Sequence, residues 1–276
     1  MYKVLCLTFS VGFWLLANPS FGQNPPSTKP FVLGLIDAIP SNELGETRAL
    51  NIYLPDGYSK DSIGKYPVIY LLDGSADEDF IHIAGLVQFA NFPWVNLLPK
   101  SIVVGIANVD RRRDFTYPTT IEKDKKEYPT TGQSQRFIAF LEKELQPYIQ
   151  KNYSSNPSRT IIGQSLGGLL ATEILFKKPS LFNQYIIVSP SLWWDNESLL
   201  AYPPVFAKPD FQQKTTVFVG VGKEGKIMET DANQLVYLLK KYSTKPLEVG
   251  FHYFGDENHA TIFHLAVYKA FERFKK

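Results

Sequence analysis

A serine stands at the centre of a pentapeptide whose flanking glycines are typical of a tight turn between a strand and a helix. The pentapeptide Gly163-Gln-Ser-Leu-Gly167 follows a β-branched run, Thr160–Ile162, and precedes the good helix formers of Leu169–Phe176. Glycines let the strand and helix pack closely at such a turn, which lifts the Ser165 hydroxyl above the sheet. The pattern predicts a nucleophilic serine. The alternative is a glycine-rich turn with an incidental serine.

A histidine is the expected base for this serine. The chain contains four: His82, His252, His259 and His264. His259 follows the last predicted strand in a polar loop, just before the last predicted helix, which places it at the carboxyl edge of the sheet where ligands bind in open α/β folds. A neutral imidazole there could take the Ser165 proton and return it to a leaving alcohol. The other three lie within predicted strands or helices, where a structural role or no obvious partner is expected.

An acid that orients the imidazole should lie between the serine and the histidine in the chain. Glu224 is the first choice, because it follows a predicted strand and a glycine turn in Val219-Gly-Val-Gly-Lys-Glu224. The alternatives are Glu229, Asp231 and Asp195. Of these, Asp231 is more simply explained as an acidic residue in the first turn of its helix.

Two backbone N–H groups would complete an oxyanion hole. The N–H of Leu166, directly after the serine, lies at the start of the following helix. The second donor should come from the loop after the predicted strand Val68–Leu72, where Gly74 allows a close turn and the N–H of Ser75 is the expected donor. A plain turn is the alternative.

The composition is that of an ordinary globular enzyme. The chain has 276 residues and a net charge of +2, which gives no electrostatic case for nucleic acid or a membrane surface as partner. No metal-ligand spacing, phosphate-binding glycine loop or dinucleotide motif is present, so no metal and no cofactor are predicted. The expected partner is a small-molecule ester, and the oligomeric state is left open.

The N-terminus has the pattern of an export signal. Lys3 precedes the apolar run Val4–Ala17, and Ser20-Phe-Gly22 supplies the small residues of a cleavage site. We therefore predict a signal peptide over residues 1–22, a flexible leader over 23–30, and one hydrolase domain over 31–276. An uncleaved anchor is the alternative, although the run is short for a span. Cleavage would remove Cys6, the only cysteine, and leave a periplasmic or extracellular protein with no integral membrane segment.

The elements that must position these residues alternate between strands and helices. Strands are predicted at Phe31–Ile36, Arg48–Leu54, Val68–Leu72, Ser101–Ala107, Thr160–Ile162, Gln184–Val188, Thr215–Val221 and Leu247–Phe254. Helices are predicted at Ile81–Ala90, Ser134–Gln150, Leu169–Phe176, Asp231–Tyr242 and Ala260–Phe274. This order predicts an α/β fold with a mostly parallel sheet, helices on both faces and an antiparallel start. The segment Phe115–Gln133 is predicted as a long irregular loop with a functional role.

Several short motifs carry a family resemblance. They are Tyr70-Leu-Leu-Asp-Gly74, Asn108-Val-Asp-Arg-Arg-Arg-Asp-Phe115, Phe140-Leu-Glu-Lys-Glu-Leu-Gln-Pro-Tyr148, Gly163-Gln-Ser-Leu-Gly-Gly168, Ser189-Pro-Ser-Leu-Trp-Trp194, Gly222-Lys-Glu224 and Glu257-Asn-His259. Together they resemble the putative-esterase branch of the α/β hydrolases, which includes siderophore (ferric enterobactin and bacillibactin) esterases and feruloyl esterases. The resemblance covers roughly residues 31–275. It departs at Thr131-Gly-Gln-Ser-Gln135, where relatives usually have Gly-Gly before an acidic residue.

The resemblance implies Ser165 as nucleophile, His259 as base, and Glu224 as orienting acid. It also implies an oxyanion hole formed by the N–H groups of Ser75 and Leu166. Some siderophore esterases use a Ser–His dyad without a close acid, so the acid is the most open of these assignments.

Substrate contacts are predicted from charge and aromaticity near the same edge. Arg111 and Arg112 could attract anionic ferric catecholates, and Trp193 and Trp194 could stack on catechol or ferulate rings. The alternative is that neighbouring aspartates pair with the arginines and that the tryptophans belong to the core.

The sequence thus predicts an exported serine carboxylic-ester hydrolase that forms an acyl-enzyme and acts on siderophore-type or small acyl or aryl esters. An acyltransferase, or a feruloyl or acetyl carbohydrate esterase, on the same residues is the alternative. A non-catalytic binding protein on this scaffold is a further one.

Overall fold

The structure is a computed structural model that describes residues 28–62, 65–242 and 247–275. The predicted signal peptide lies outside these residues, and of the predicted leader only residues 28–30 are described, without helix or strand. The chain divides into two units, Met1–Val32 and Leu33–Lys276, and every element below belongs to the second. No helix among the described residues is long and apolar enough to cross a membrane.

The second unit is built on an eight-stranded sheet with the order β1-β2-β4-β3-β5-β6-β7-β8. The strands are β1 (Leu35–Ser41), β2 (Glu46–Tyr53), β3 (Tyr66–Leu71), β4 (Ile102–Ile106), β5 (Ser155–Gln164), β6 (Gln184–Val188), β7 (Thr215–Gly222) and β8 (Leu247–Phe254). The pairs β1–β2 and β2–β4 are antiparallel, and all other neighbours are parallel. The predicted mostly parallel sheet with an antiparallel start is therefore confirmed.

Helices cover both faces of the sheet, as predicted. They are α1 (Phe80–Ala90), α2 (Arg111–Phe115), α3 (Glu122–Glu127), α4 (Ser134–Phe140), α5 (Gln146–Asn152), α6 (Leu166–Lys177), α7 (Lys226–Tyr242) and α8 (Phe263–Phe274). A π-helical turn, Leu141–Leu145, joins α4 to α5. Apolar side chains of α4, α5, α6 and α7 fill the core on one face, and those of α1 and α8 fill the core on the other. Burial of these two apolar layers is the main term that holds the elements together.

Most predicted bounds differ from the structure by a few residues, and three of these differences are the most informative. The first strand is Leu35–Ser41 rather than Phe31–Ile36, because the tight turn after Ser41 sets its pairing with β2. The helix α7 begins at Lys226, so Asp231 lies in its second turn and is buried. The segment predicted as irregular, Phe115–Gln133, contains the helix α3.

The carboxyl ends of the parallel strands meet at one edge of the sheet, which we call the catalytic edge. Ser165 follows β5 directly, Glu224 comes two residues after β7, and His259 comes five residues after β8. The Asp73-Gly74-Ser75 loop follows β3 at the same edge. Because neighbouring parallel strands end at the same edge of the sheet, the loops that follow them bring residues distant in sequence onto one surface.

Candidate active site

Ser165 occupies a strained turn between β5 and α6. Its backbone has φ 58° and ψ −120°, which few residues other than glycine adopt without support from the surrounding structure. A Cβ added at Gly163 would lie 2.4 Å from the carbonyl oxygen of Gly167, so a glycine is required before the serine. The local sequence therefore permits the close crossing of strand and helix that holds the serine at the catalytic edge.

Hydrogen bonds fix the Ser165 turn to β6 and to the loop after it. The Ser165 N–H donates to the carbonyl of Val188 at 3.1 Å, and the N–H of Ser191 donates to the carbonyl of Ser165 at 3.0 Å. The side-chain hydroxyls of Ser165 and Ser191 are 3.2 Å apart. Ser191 thus contacts the candidate nucleophile through both its backbone and its side chain.

Glu224 and His259 form a direct pair. His259 Nδ1 lies 2.5 Å from Glu224 Oε2. The other carboxylate oxygen of Glu224 accepts hydrogen bonds from the Ser189 hydroxyl and from the N–H of Gly222, the latter at 2.9 Å. The Glu224 side chain is 2% exposed, whereas that of His259 is 46% exposed. A buried carboxylate with three donors is well suited to hold one imidazole orientation.

The same contacts set the charge of Glu224. Burial alone would raise the pKa of this carboxyl, but hydrogen bonds from His259, Ser189 and the Gly222 N–H outweigh it and lower the pKa below its usual value. The carboxylate is therefore ionised at neutral pH. An ionised partner favours a proton on His259 Nδ1, which leaves Nε2 as the nitrogen able to accept a proton.

A hydrogen bond links His259 to the serine turn through the backbone. The Gln164 side-chain amide donates to the carbonyl of His259 at 2.5 Å, and Gln164 is the residue before the serine. Among the described residues, no hydrogen bond joins the Ser165 hydroxyl to the His259 ring, and the hydroxyl lies near that of Ser191.

The three alternative acids have other contacts. Glu229 accepts hydrogen bonds from the N–H groups of Glu224 and Gly225, each at 3.1 Å, and so steadies the turn that carries Glu224. Asp195 accepts from the Thr120 N–H at 2.7 Å. Asp231 is buried in α7, where burial and a neighbouring carboxylate raise its pKa to about 6. None of the three contacts the imidazole in the part of the chain that the structure describes.

The two predicted oxyanion donors have different surroundings. Leu166 is the first residue of α6, so its N–H is among those with no acceptor within the helix. The Ser75 N–H donates to Glu78 Oε2 at 3.3 Å. A Cβ at Gly74 would lie 2.4 Å from the Cα of Gly105, so this loop follows a path open only to glycine. The carboxylate of Glu78 thus occupies one of the two donors.

Hydrogen bonds from Arg111 and Asn108 to Asp73 stabilise the loop that carries Ser75. Asp73, with φ 52°, accepts two hydrogen bonds from Arg111 at 2.8 and 2.9 Å and one from the Asn108 side chain at 2.7 Å. The Asn108 amide also lies 3.0 and 3.1 Å from the two oxygens of Glu78. Arg111 therefore has a partner within the protein, although it is Asp73 and not one of the aspartates beside it in sequence, and its contact with substrate stays a prediction.

The remaining predicted substrate residues separate into exposed and buried ones. Arg112 is exposed, with its guanidinium 4.9 Å from the centroid of the Tyr128 ring, and Trp193 is half-buried at 6.3 Å from the same ring. Trp194 is 0% exposed, and its indole N–H donates to the carbonyl of Tyr117 at 2.9 Å. The prediction that Trp194 stacks on a substrate ring is therefore wrong, because neither face of its indole reaches the surface.

Sequence reasoning missed the two serines that follow β6. Ser189, with φ 43°, bonds to Glu224, and Ser191 contacts Ser165. The only available signal was their place in a recognised motif directly after a strand. Their roles depend on β6 lying between β5 and β7, which no local pattern reveals.

The fold and the site define the class of protein. An eight-stranded, mostly parallel sheet covered on both faces, with a serine in a strand-to-helix turn and a carboxylate–imidazole pair at the same edge, is the arrangement of an α/β hydrolase. The family model described as "Putative esterase" matches residues 41–259. The chain therefore belongs to the putative esterase family, and its class of activity is ester hydrolysis.

Similar proteins agree with this family. The chain is 29% identical to the ferri-bacillibactin esterase BesA of Bacillus subtilis over 244 residues, which covers 82% of this chain and 84% of that protein. Among solved structures, the BES protein from Bacillus cereus is 29% identical with a TM-score of 0.79, covering 90% of this chain and 98% of that one. An IroE-like serine hydrolase from Shewanella oneidensis is 30% identical with a TM-score of 0.77, covering 87% and 79%.

Proposed function

We propose that this protein is a serine carboxylic-ester hydrolase in which Ser165, His259 and Glu224 act together. The observation that carries the proposal is the 2.5 Å contact between His259 Nδ1 and Glu224, made beside the strained serine turn. It leaves Nε2 as the proton acceptor, and the Gln164 hydrogen bond ties the His259 backbone to the residue before the serine. Membership in an esterase family supports the same reaction.

The reaction would proceed through an acyl-enzyme. His259 Nε2 takes the Ser165 proton as Oγ bonds to the ester carbonyl carbon, and the carbonyl oxygen becomes an oxyanion facing the N–H groups of Leu166 and Ser75. The carbonyl re-forms as the bond to the alcohol oxygen breaks, and the imidazolium gives that oxygen its proton. Water then repeats the sequence with His259 as base, which releases the acid and restores Ser165.

Siderophore-type or small aryl esters are the substrates that we propose. Relatives named as siderophore esterases support this choice, among them the triacetylfusarinine C esterase of Aspergillus fumigatus, which is 27% identical over 177 residues, 60% of this chain and 59% of that protein. Exposed Arg112 and half-buried Trp193 both lie against Tyr128, and Trp193 is two residues after Ser191. A guanidinium with two aromatic rings suits an anionic aromatic acyl group, to which Arg111 would add charge.

Export to the periplasm or the exterior is part of the proposal. It rests on the charged, apolar and small-residue pattern of residues 1–22. N-terminal sequencing of the protein recovered outside the cytoplasm should begin at Gln23. Recovery of an intact Met1 in that fraction would contradict cleavage.

Active-site labelling tests the serine directly. A fluorophosphonate should modify one residue, and peptide mapping should find the adduct on Ser165. The Ser191→Ala variant is the matched control, because it removes the neighbouring hydroxyl 3.2 Å away and should still be labelled. Undiminished labelling of Ser165→Ala would refute the assignment.

Product analysis separates the substrate alternatives. Ferric enterobactin, methyl ferulate and p-nitrophenyl acetate should be compared at equal concentration, with free acid as the expected product. Transfer to an added alcohol in preference to water would indicate the acyltransferase. Tight binding of an intact ligand with no turnover of any ester would indicate a binding protein.

A further inference from the structure

A polar cavity lies beside the first half of β5, away from the catalytic edge at the carboxyl end of that strand. It has a volume of about 230 Å³ and lies where β3 and the start of β5 meet α5. Its polar lining comes from Tyr70, Gln146, Gln150, Ser155, Asn156 and Arg159. None of its lining residues is an aspartate or a glutamate. One water occupies roughly 30 Å³ in the liquid, so the cavity has room for more than a single bridging water.

Arg159 lines this cavity, and its guanidinium is not fully hydrogen-bonded within the protein. One terminal nitrogen, Nη1, donates to Gln146 Oε1 at 2.8 Å, whereas the Nε–H is buried and has no acceptor. The Gln146 side chain is itself held in place, because its amide donates one N–H to the carbonyl of Leu181 at 3.1 Å. A buried donor without a partner costs about 1–3 kcal/mol.

The Tyr70 hydroxyl is a second donor at the same place. The residue is 2% exposed, it lines the cavity, and within the described ranges its hydroxyl has no hydrogen bond to protein. Burial raises the pKa of Tyr70 well above its usual value, so the hydroxyl keeps its proton at any physiological pH and remains a donor. Arg159 pairs with Val68, two residues before Tyr70 on β3, which sets the two side chains on the same face of neighbouring strands.

The guanidinium charge is also unbalanced. No carboxylate lies within 4 Å of Arg159 among the ion pairs of the described residues. A half-buried cation with no counter-charge, beside a buried hydroxyl donor, matches a ligand that carries negative charge and only accepts hydrogen bonds. Carboxylates and phosphates are the small groups with that chemistry, and arginine binds both in a forked geometry.

We propose that this cavity is a binding site for a small oxyanion, a carboxylate or a phosphate group, held by Arg159 and Tyr70. The site is separate from the candidate active site, because Arg159 precedes Ser165 by six residues along an extended strand, which is roughly 20 Å at about 3.3 Å per residue. It therefore does not depend on the proposed esterase function, and its test needs no turnover.

The test is thermal unfolding of the full chain with added anions. Sodium phosphate and sodium acetate should each be titrated against sodium chloride at equal ionic strength, which separates phosphate from carboxylate binding. The wild type should show a saturable rise in Tm of about 2–4 °C or more with at least one oxyanion, since binding to the folded state alone stabilises it. Isothermal calorimetry with the same anion gives the dissociation constant.

Three variants assign the effect to this cavity. Arg159→Gln should raise the dissociation constant of the anion at least tenfold. Tyr70→Phe, which removes only the hydroxyl, should raise it about threefold or more. Lys151→Gln is the matched control, because it removes one positive charge near the end of α5 without a contact in the cavity, and it should bind as the wild type does. Tyr70→Phe also decides the matter if Arg159→Gln does not fold.

Two results would overturn the proposal. One is a wild-type Tm that follows ionic strength alone with no saturable response to either oxyanion, which would leave a cavity filled by water. The other is a saturable response that Tyr70→Phe and Arg159→Gln retain in full.

Discussion

Removal of the charge of Glu78 should increase esterase activity. The Glu78 carboxylate lies 3.3 Å from the Ser75 N–H, one of the two donors that the proposed mechanism assigns to the oxyanion. The substrate carbonyl oxygen needs that donor most in the transition state, when it becomes negative. The substitution Glu78→Gln keeps the shape of the side chain and an acceptor oxygen but removes the competing charge.

The size of the expected increase in kcat/KM depends on the hydrogen bond between the Glu78 carboxylate and the Ser75 N–H, which must break before the oxyanion can use that donor. A hydrogen bond to a charged group contributes about 1.5–3 kcal/mol. Because Glu78 is exposed and keeps the Asn108 amide at 3.0 and 3.1 Å, water and Asn108 recover part of this when the carboxylate moves aside. Repulsion between the carboxylate and the oxyanion adds to the loss, with an upper bound of about 4 kcal/mol at 4 Å and an effective dielectric constant of 20. A net effect of about 1 kcal/mol corresponds to roughly a fivefold increase in kcat/KM.

The assay is initial-rate hydrolysis of a neutral ester, p-nitrophenyl acetate, by wild type, Glu78→Gln and Asp77→Asn. Asp77 is the matched control, because it is the exposed neighbouring carboxylate and has no hydrogen bond within the described chain. An arylboronate, which forms an anionic tetrahedral adduct on a serine, should bind more tightly to Glu78→Gln by a similar factor.

A kcat/KM for Glu78→Gln that equals or falls below both wild type and Asp77→Asn would refute this reasoning about the Ser75 donor. Inactivity of the wild type would instead count against the proposed function. The two failures are therefore distinguishable.

Three further predictions concern the acid and the serine turn. Ser189→Ala removes a charge-assisted donor from Glu224, so kcat should fall about tenfold and the acidic limb of the kcat–pH profile should move to higher pH; an unchanged profile would count against this role. Because the folded-state pKa of Glu224 is lowered, its contribution to stability is present above about pH 4.5 and is lost as the pH falls through the lowered value; urea unfolding at pH 7 and pH 4 should show this difference shrink in Glu224→Gln. Gly163→Ala places a Cβ 2.4 Å from a carbonyl oxygen and should cost more than about 2 kcal/mol of unfolding free energy, whereas Gly85→Ala in α1, with nothing within 4 Å, should be neutral or stabilising by up to about 1 kcal/mol; equal effects in thermal unfolding would contradict the steric explanation.

Local patterns predicted most of the fold, because apolar residues recur at different intervals in helices and in strands. Two of the eight strands, Gln184–Val188 and Leu247–Phe254, have the bounds that the apolar runs indicated. The alternation of strands and helices was sufficient for the parallel core, since crossover connections constrain the topology. The bounds of β1 were wrong because pairing with β2, rather than hydrophobicity, decides where that strand begins.

The contacts of the site needed the three-dimensional arrangement. Chain order and a glycine turn selected Glu224 among four acids, but one donor to its carboxylate, Ser189, follows β6 and lies thirty-five residues earlier. Likewise, composition could not separate Trp193 from Trp194. The two are adjacent in sequence, yet the second faces Tyr117 inside the core and the first stays partly exposed.

The catalytic edge draws on every parallel strand from β3 to β8. The Ser75 loop follows β3, Asn108 follows β4, and the loops after β5, β6, β7 and β8 supply the rest. The complete site therefore needs the chain from the loop after β3 to the loop after β8. Under the proposed mechanism, turnover would appear only when all six loops at the catalytic edge have assembled. Ester hydrolysis would then be a sensitive measure of complete refolding after denaturation.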